Sequence, residues 1–314
     1  MPEGFPLSGP APSIRIMAGN LKEVRERIRS VQNTQQITKA MKMVSASKLR
    51  RAQMAIQQMR PYADKLDSML RNILSNLDGG SDTVYNLERS VNRACIVVVT
   101  SNRGLCGAFN TNVIKAALRL IEEKYADVRK NGNLTMIFIG KKGYDFFRKR
   151  YRDIRLVNDY VELFNDLTFD NVSKVAGEIM HAFESAQFDA VDVAYGRFKN
   201  AAMQFPTTEQ FLPVPKVQTE SGDNNKRADY IFEPDQEGLL QYLVPSILKT
   251  QFQKFLLDTH ASEHGARMTA MDKASENAEE MLKELRITYN KARQEAITKE
   301  ILEIVGGAAA LENG

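Results

Sequence analysis

The sequence predicts an α/β protein in which long N- and C-terminal helices form an α-helical antiparallel coiled coil, with a central α/β domain inserted between them. Three observations predict this. Both ends of the chain are long, nearly free of Gly and Pro, and repeat apolar residues in alternating steps of three and four. The middle alternates short apolar runs with helical patterns. The two end segments carry opposite charge.

The first sixteen residues, MPEGFPLSGPAPSIRI, hold four prolines and one Arg. They read as a disordered tail (1–17), unlike an Arg-rich amphipathic transit peptide. Residues 18–78 form the outgoing helix. Counting from Leu21, thirteen of the seventeen positions that end at Leu77 are apolar. The exceptions, Gln35, Thr38, Lys42 and Ser45, are consecutive, and there the apolar stripe is expected to move over to Ile37, Met41 and Val44. At 1.5 Å per residue this helix is roughly 85 Å long and cannot bury its own seam. Its partner is the other end of the chain, assigned to 236–314. From Ser246 to Val305 it has one Gly and no Pro. Its seam candidates are Met268, Met271, Ala274, Ala278, Met281, Leu285, Ala292 and Ala296. Residues 20–77 hold twelve Lys/Arg against four Asp/Glu, and residues 260–304 hold seven against nine.

Residues 79–235 make up the central domain. Ala94–Thr100, Leu134–Gly140 and Asp189–Gly196 read as strands, with helical patterns at Ala108–Arg129 and Phe169–Ala186. Such alternation implies a small, mostly parallel, Rossmann-like sheet. With 43% hydrophobic residues and 26% charged, the chain is neither disordered nor membrane-embedded, and the apolar run Ala94–Val99 is too short to span a bilayer. Cys95 and Cys106 make no disulfide framework.

No short motif carries catalysis. SNRGLCGAFN (101–110) follows a strand and opens a helix, but holds only half of the dinucleotide fingerprint and reads as a tight structural turn. GKKG (140–143) fails as a P-loop, because Thr135 and Lys142 stand where Gly and Ser/Thr are needed, and it is only a short match to a KH-type GxxG loop. HASEH (260–264) matches the inverted zinc-protease pattern without a third ligand. QNTQQITKAMKMVSASKLRRAQ (32–53) carries five positive charges, no negative one and no aromatic residue. It suits acidic protein loops, with a basic coiled-coil nucleic-acid-binding protein as the alternative. No catalytic, cofactor-binding or metal residue is assigned.

Three blocks in order resemble the γ subunit of F-type ATP synthases: LKEVRERIRSVQNTQQITKAMKMVSASKLRRAQ, TSNRGLCGAFN, and ASEHGARMTAMDKASENAEEMLKELRITYNKARQEAITKEILEIVGGAAAL. The resemblance runs from about Met17 to Leu311. It implies a central rotary stalk subunit without a catalytic site, one copy per complex, coupling proton-driven rotation of a membrane ring to ATP synthesis. The implied partners are the α and β subunits of an α3β3 hexamer, the ε subunit and the c-subunit ring, with no cofactor and no nucleic acid. It also implies a peripheral position on a membrane, and because the N-terminal tail is a poor transit peptide the expected place is the cytoplasmic face of a bacterial inner membrane in preference to a mitochondrial one. Carried over residue by residue, Met41, Arg293, Gln294, Thr298, Glu300 and Glu303 fall on the β contact surface, and Arg25 falls where the helices pair. Glu220, Asp223, Lys226 and Arg227 fall in a foot loop near the c ring. Asn102 stands where the family has Asp, and Glu295 where a small neutral residue is common. The cysteine-bearing insert of plastid forms is absent.

Overall fold

The computed structural model describes residues 21–76, 84–214 and 236–312, so the N-terminal tail and the 219–229 foot loop lie outside the described residues. Two helices dominate, α1 (Leu21–Asn76) and α6 (Gln236–Glu312). The chain divides into two compact units, one of residues 1–40 with 272–314 and one of residues 41–271.

In the first unit α1 and α6 run antiparallel. The contact moves forward along α1 from Arg25 to Thr38 while it moves back along α6 from Tyr289 to Ser275. The seam keeps its three-four spacing through the polar stretch, which corrects the expected shift. Thr38 is buried and its hydroxyl lies 2.7 Å from that of Ser275, whereas Ile37 is 59% exposed. The same holds in the second unit, where Ser45 is buried and Val44 is 57% exposed. The physical reason is local satisfaction. Thr38 donates to the Gln35 carbonyl at 3.0 Å and Ser45 to the Met41 carbonyl at 2.7 Å, so neither hydroxyl is buried without a bond. On α6 the buried positions are Ser275, Ala278 and Leu282, and Met281 faces outward at 45% exposure. The expected Ala278 lies in the seam and Leu285, Ala292 and Ala296 are half-buried, whereas at Ala274 and Met281 the buried residue is the next one along, Ser275 and Leu282.

The second unit holds a five-stranded sheet in the order β3-β2-β1-β4-β5. Its elements are β1 (Ala94–Val99), α2 (Phe109–Lys124), α3 (Ala126–Lys130), β2 (Leu134–Ile139) and α4 (Lys141–Arg150). They continue with β3 (Arg155–Val157), α5 (Phe169–Glu184), β4 (Ala190–Phe198) and β5 (Gln204–Leu212). The strands β3, β2, β1 and β4 are parallel, and β5 returns antiparallel to β4. Every residue of β1 is inaccessible, since α2 and α4 cover one face and α5 and α6 the other. The three expected strands are present, their ends moved by one or two residues. The periodicity missed β3, α4 and β5. β5, QFPTTEQFL, is an edge strand with Pro206 inside and no clean alternation. The helical pattern expected over Ala108–Arg129 breaks at Tyr125. α6 begins ten residues before Ser246 and passes through Pro245. Its first stretch is no coiled coil. Leu248, Phe252, Phe255 and Leu256 are buried in the sheet's core.

Candidate functional site

In a sheet of this order the crevice between β1 and β4, at the carboxyl ends of the strands, is where a ligand ordinarily sits. Here α6 fills it. Ser262 donates to the Gly196 carbonyl at 2.9 Å, and the Gly196 N–H donates to Thr259 at 3.3 Å. Gly265 lies against the turn after β4, where a Cβ would stand 3.1 Å from the Ala201 carbonyl oxygen. Arg267 reaches the turn after β1, donating through Nη2 to the carbonyls of Arg103 at 3.0 Å and Gly104 at 3.3 Å.

That turn is the SNRGLCGAFN stretch, and its own polar groups are used inside it. Ser101 donates to the Arg103 carbonyl at 2.6 Å, and the Asn110 side chain accepts from the Ser101 N–H at 2.9 Å. Asn110 Nδ2 lies 3.2 Å from the buried Cys106 sulfur. Leu105 has φ +64° and is 64% exposed, a strained conformation for a side chain of its size. Asn102 accepts from the first N–H of α4, that of Lys141, at 3.1 Å, so the residue that replaces the usual Asp acts as a neutral cap.

HASEH and Arg267 form one buried cluster. Glu263 and Arg267 pair at 2.7 Å, each 7% exposed. Arg267 Nη1 also lies 3.3 Å from His264 Nδ1. A guanidinium only donates, so His264 accepts at Nδ1, carries its proton on Nε2 and donates to His260 Nε2 at 3.0 Å. Phe164 stacks on the His260 ring. Burial, with Lys48 and Arg267 adding to it, lowers the His260 pKa to about 4. Burial likewise lowers that of His264 to about 3, with His260, Arg267 and Lys48 contributing. Both rings are therefore neutral at pH 7. Burial raises the Glu263 carboxyl above its usual value, against the pull of Arg267 and Lys48. The zinc pattern fails on this geometry. Glu263 is turned to a cation, and among the described residues no group of three His, Cys, Asp or Glu could hold a metal.

Asp258, one turn earlier on α6, is 7% exposed, and burial raises its pKa to about 6. Lys254, Arg197 and Arg60 pull it down and Glu209 pushes it up. For an acid whose folded pKa is raised, stability is fully present below the unfolded value near 3.8 and is lost as pH rises towards 6. Asp258→Asn is therefore expected to melt higher than the parent at pH 8, by roughly 1–3 kcal/mol, with the advantage gone at pH 4. Thermal unfolding monitored at both pH values checks this.

The residues carried over from the family pattern lie apart from this cluster. Arg25 donates to the Tyr289 hydroxyl at 2.8 Å and sits over its ring. Arg25, with Arg293 nearby, holds the Tyr289 phenol below its usual pKa. Arg293, Gln294, Thr298, Glu300 and Glu303 are exposed on α6. The Thr298 hydroxyl donates to the Gln294 carbonyl at 2.9 Å, and Glu303 pairs with Lys299 at 3.8 Å. Met41, in the other unit, is half-buried. Glu220, Asp223, Lys226 and Arg227 lie outside the described residues. Sequence reasoning missed Arg267. Its signal was the Glu263–Arg267 spacing, which places the two charges on one helical face.

A sheet crevice filled by the protein's own helix, and a buried polar cluster spent on holding that helix, define a structural protein in which an α/β domain anchors a long helix. Residues 20–311 match the ATP synthase family. The ATP synthase gamma chain of Cytophaga hutchinsonii is 55% identical over 296 residues, 94% of this chain and 99% of that one. That of Flavobacterium psychrophilum is 49% identical over 293 residues, 93% and 99% of the two. The chain belongs to the ATP synthase gamma-chain family. A solved chain of the Euglena gracilis mitochondrial ATP synthase, in a structure of OSCP/F1/c-ring, shares the fold with a TM-score of 0.61 at 22% identity, over 94% of this chain and 95% of that one.

Proposed function

We propose that this chain is the central rotary stalk subunit of an F-type ATP synthase, a non-catalytic part that couples proton-driven rotation of the membrane ring to the cycle of the β sites. Family membership supports the stalk role. The observation that carries the mechanical reading is the far end of α6. Ile297, Ile301, Leu302, Ile304 and Val305 are all exposed, and at 3.6 residues per turn they fall on one side of the helix, with Lys299, Glu300 and Glu303 on the other. An exposed apolar helix face needs a cover, and no described part of this chain supplies one. An α3β3 hexamer offers that cover as a collar. Inside it, the exposed Arg293, Gln294, Thr298, Glu300 and Glu303 meet β loops, and Met41, with the exposed Ile37 and Val44, faces the collar from the outgoing helix. Each orientation of the shaft favours a different β state, which is all that coupling requires. In this reading the α/β domain stands with ε on the c ring. One copy serves each complex, at the cytoplasmic face of a bacterial inner membrane.

Two measurements test this reading. Native mass spectrometry of the complex purified from detergent-solubilised membranes is expected to give one copy with three each of two nucleotide-binding subunits. Replacing Arg293 and Gln294 by Ala is expected to leave that assembly intact and to lower coupled ATP synthesis by roughly tenfold or more, the scale of losing interface anchors. Unchanged synthesis would remove these residues from the β contact.

A further inference from the structure

The cluster of His260, Glu263, His264 and Arg267 contains a relay that works in one protonation state only. Arg267 Nη1 faces His264 Nδ1 at 3.3 Å, and His264 Nε2 faces His260 Nε2 at 3.0 Å. Donors and acceptors alternate along it. The guanidinium donates to the bare Nδ1 of His264, whose Nε2 proton goes to the bare Nε2 of His260. Both acceptors are ring lone pairs. A proton added to His264 Nδ1 points at a guanidinium N–H, and one added to His260 Nε2 points at the N–H of His264. Either addition sets two donors head to head.

The surroundings offer an added proton no compensation. The charges acting on both rings are Lys48 of α1 and Arg267 of α6, each positive. Glu263, the carboxylate of the cluster, is held by Arg267 at 2.7 Å. The short turn Leu163–Asn165 presents the Phe164 ring to His260, and the turn after β1 presents the carbonyls of Arg103 and Gly104, which Arg267 Nη2 occupies. His264 is 5% exposed and His260 half-buried, so water solvates an added charge poorly. What the relay steadies is itself strained. Arg103 and Gly104 are the two residues before Leu105, which is held at φ +64°. The same turn encloses Cys106, 1% exposed, beside Ser101 and Asn110. Without Arg267 on its carbonyls, the turn is free to relax Leu105 and uncover Cys106.

We propose that His260 and His264 form an acid-sensitive latch, in which protonation drives Arg267 off the 103–104 carbonyls and lets the turn after β1 open from α6. Every part of the latch lies in the unit of residues 41–271, so the device stands apart from the stalk reading. Its sign follows from burial. The closed rings titrate at about 4 and about 3, whereas an open ring has the ordinary value of 6.5. An open ring therefore takes up a proton that a closed one refuses. The latch is intact above pH 6.5 and weakens as pH falls below it. Asp258, two residues before His260, works in the opposite sense because burial raises its pKa. It is retained in every variant below, so its effect cancels between them.

The test labels the full chain with 4,4′-dithiodipyridine at pH 7.5 and pH 5 and locates the label by peptide mass spectrometry. Dividing each rate by that of glutathione at the same pH removes the thiol's own pH dependence. Cys106 is expected to react faster at pH 5 by about thirtyfold for each ring that the opening frees. Cys95, inaccessible within β1, reports unfolding of the whole sheet and is expected to lag behind. His264→Gln keeps an acceptor for Arg267 and a donor for His260 without titrating, and is expected to lose about thirtyfold of the acid rise. His260→Gln/His264→Gln is expected to label alike at both pH values. A flat profile in the parent overturns the proposal. So does an undiminished rise in the double variant, which would give the effect to other groups. Cys95 rising in step with Cys106 overturns it as well, because the domain would then be unfolding as a whole. Should the double variant not fold at pH 7.5, His264→Gln alone decides, and an acid rise equal to the parent's overturns the latch.

Discussion

Arg267→Met is expected to lower the unfolding free energy of the chain by about 3–5 kcal/mol, the range for breaking a buried ion pair from one side. Three losses coincide. Glu263 stays in a site 7% exposed without its cation. The carbonyls of Arg103 and Gly104 lose their donor, and so does Nδ1 of His264. The double variant Glu263→Gln/Arg267→Met is expected to be more stable than Arg267→Met alone, because the orphaned carboxylate has gone. Chemical denaturation of the three proteins at pH 7 decides it. If the double variant is no better, the orphaned charge is not the main cost.

The second large effect lies at the end of β2. Gly140 has φ +95°, and a Cβ built there would stand 1.9 Å from the Thr100 carbonyl oxygen. Thr100 is the residue after β1, bonded through its N–H to the Ile139 carbonyl at 2.8 Å and through its hydroxyl to the Gly143 N–H at 2.8 Å. An added methyl therefore meets backbone tied from both sides, in a conformation that L residues rarely adopt. Gly140→Ala is expected to cost roughly 3 kcal/mol or more, read as a fall in the denaturation midpoint. Gly177→Ala is the contrasting case. It lies in α5 with nothing within 4 Å of the added carbon, and is expected to be neutral or stabilising by up to about 1 kcal/mol. Equal effects at the two glycines would show that close approach is not what Gly140 provides.

Much of the fold was legible in the chain because two periodicities are strong. The three-four repeat from Leu21 survives the polar interval, and the residues that seemed to break it, Thr38 and Ser45, are buried in the seam. The error was to follow hydrophobicity to Ile37 and Val44 where geometry keeps the phase. Two hydroxyls that bond within the helix can occupy a seam, and two apolar side chains can be left outside for a partner to cover. β1, β2 and β4 were readable as apolar runs because both faces of the sheet are covered. β5 was not, since an edge strand is half wet and its residues follow local contacts. The candidate site was legible only in fragments. SNRGLCGAFN and HASEH stand about 150 residues apart, and neither suggests the other.

The sequence by itself determined the two long helices, their need for each other, the parallel core of the sheet and the family. These follow from short-range periodicity, or from residue order over the whole chain. Only the tertiary structure decided that α6 occupies the crevice a ligand would otherwise take, and that Arg267 and the two neutral histidines hold it there. Such facts depend on which distant backbone carbonyls and side chains come within hydrogen-bonding distance. That is set by how the helices lie on the sheet, and no local pattern of residues encodes it.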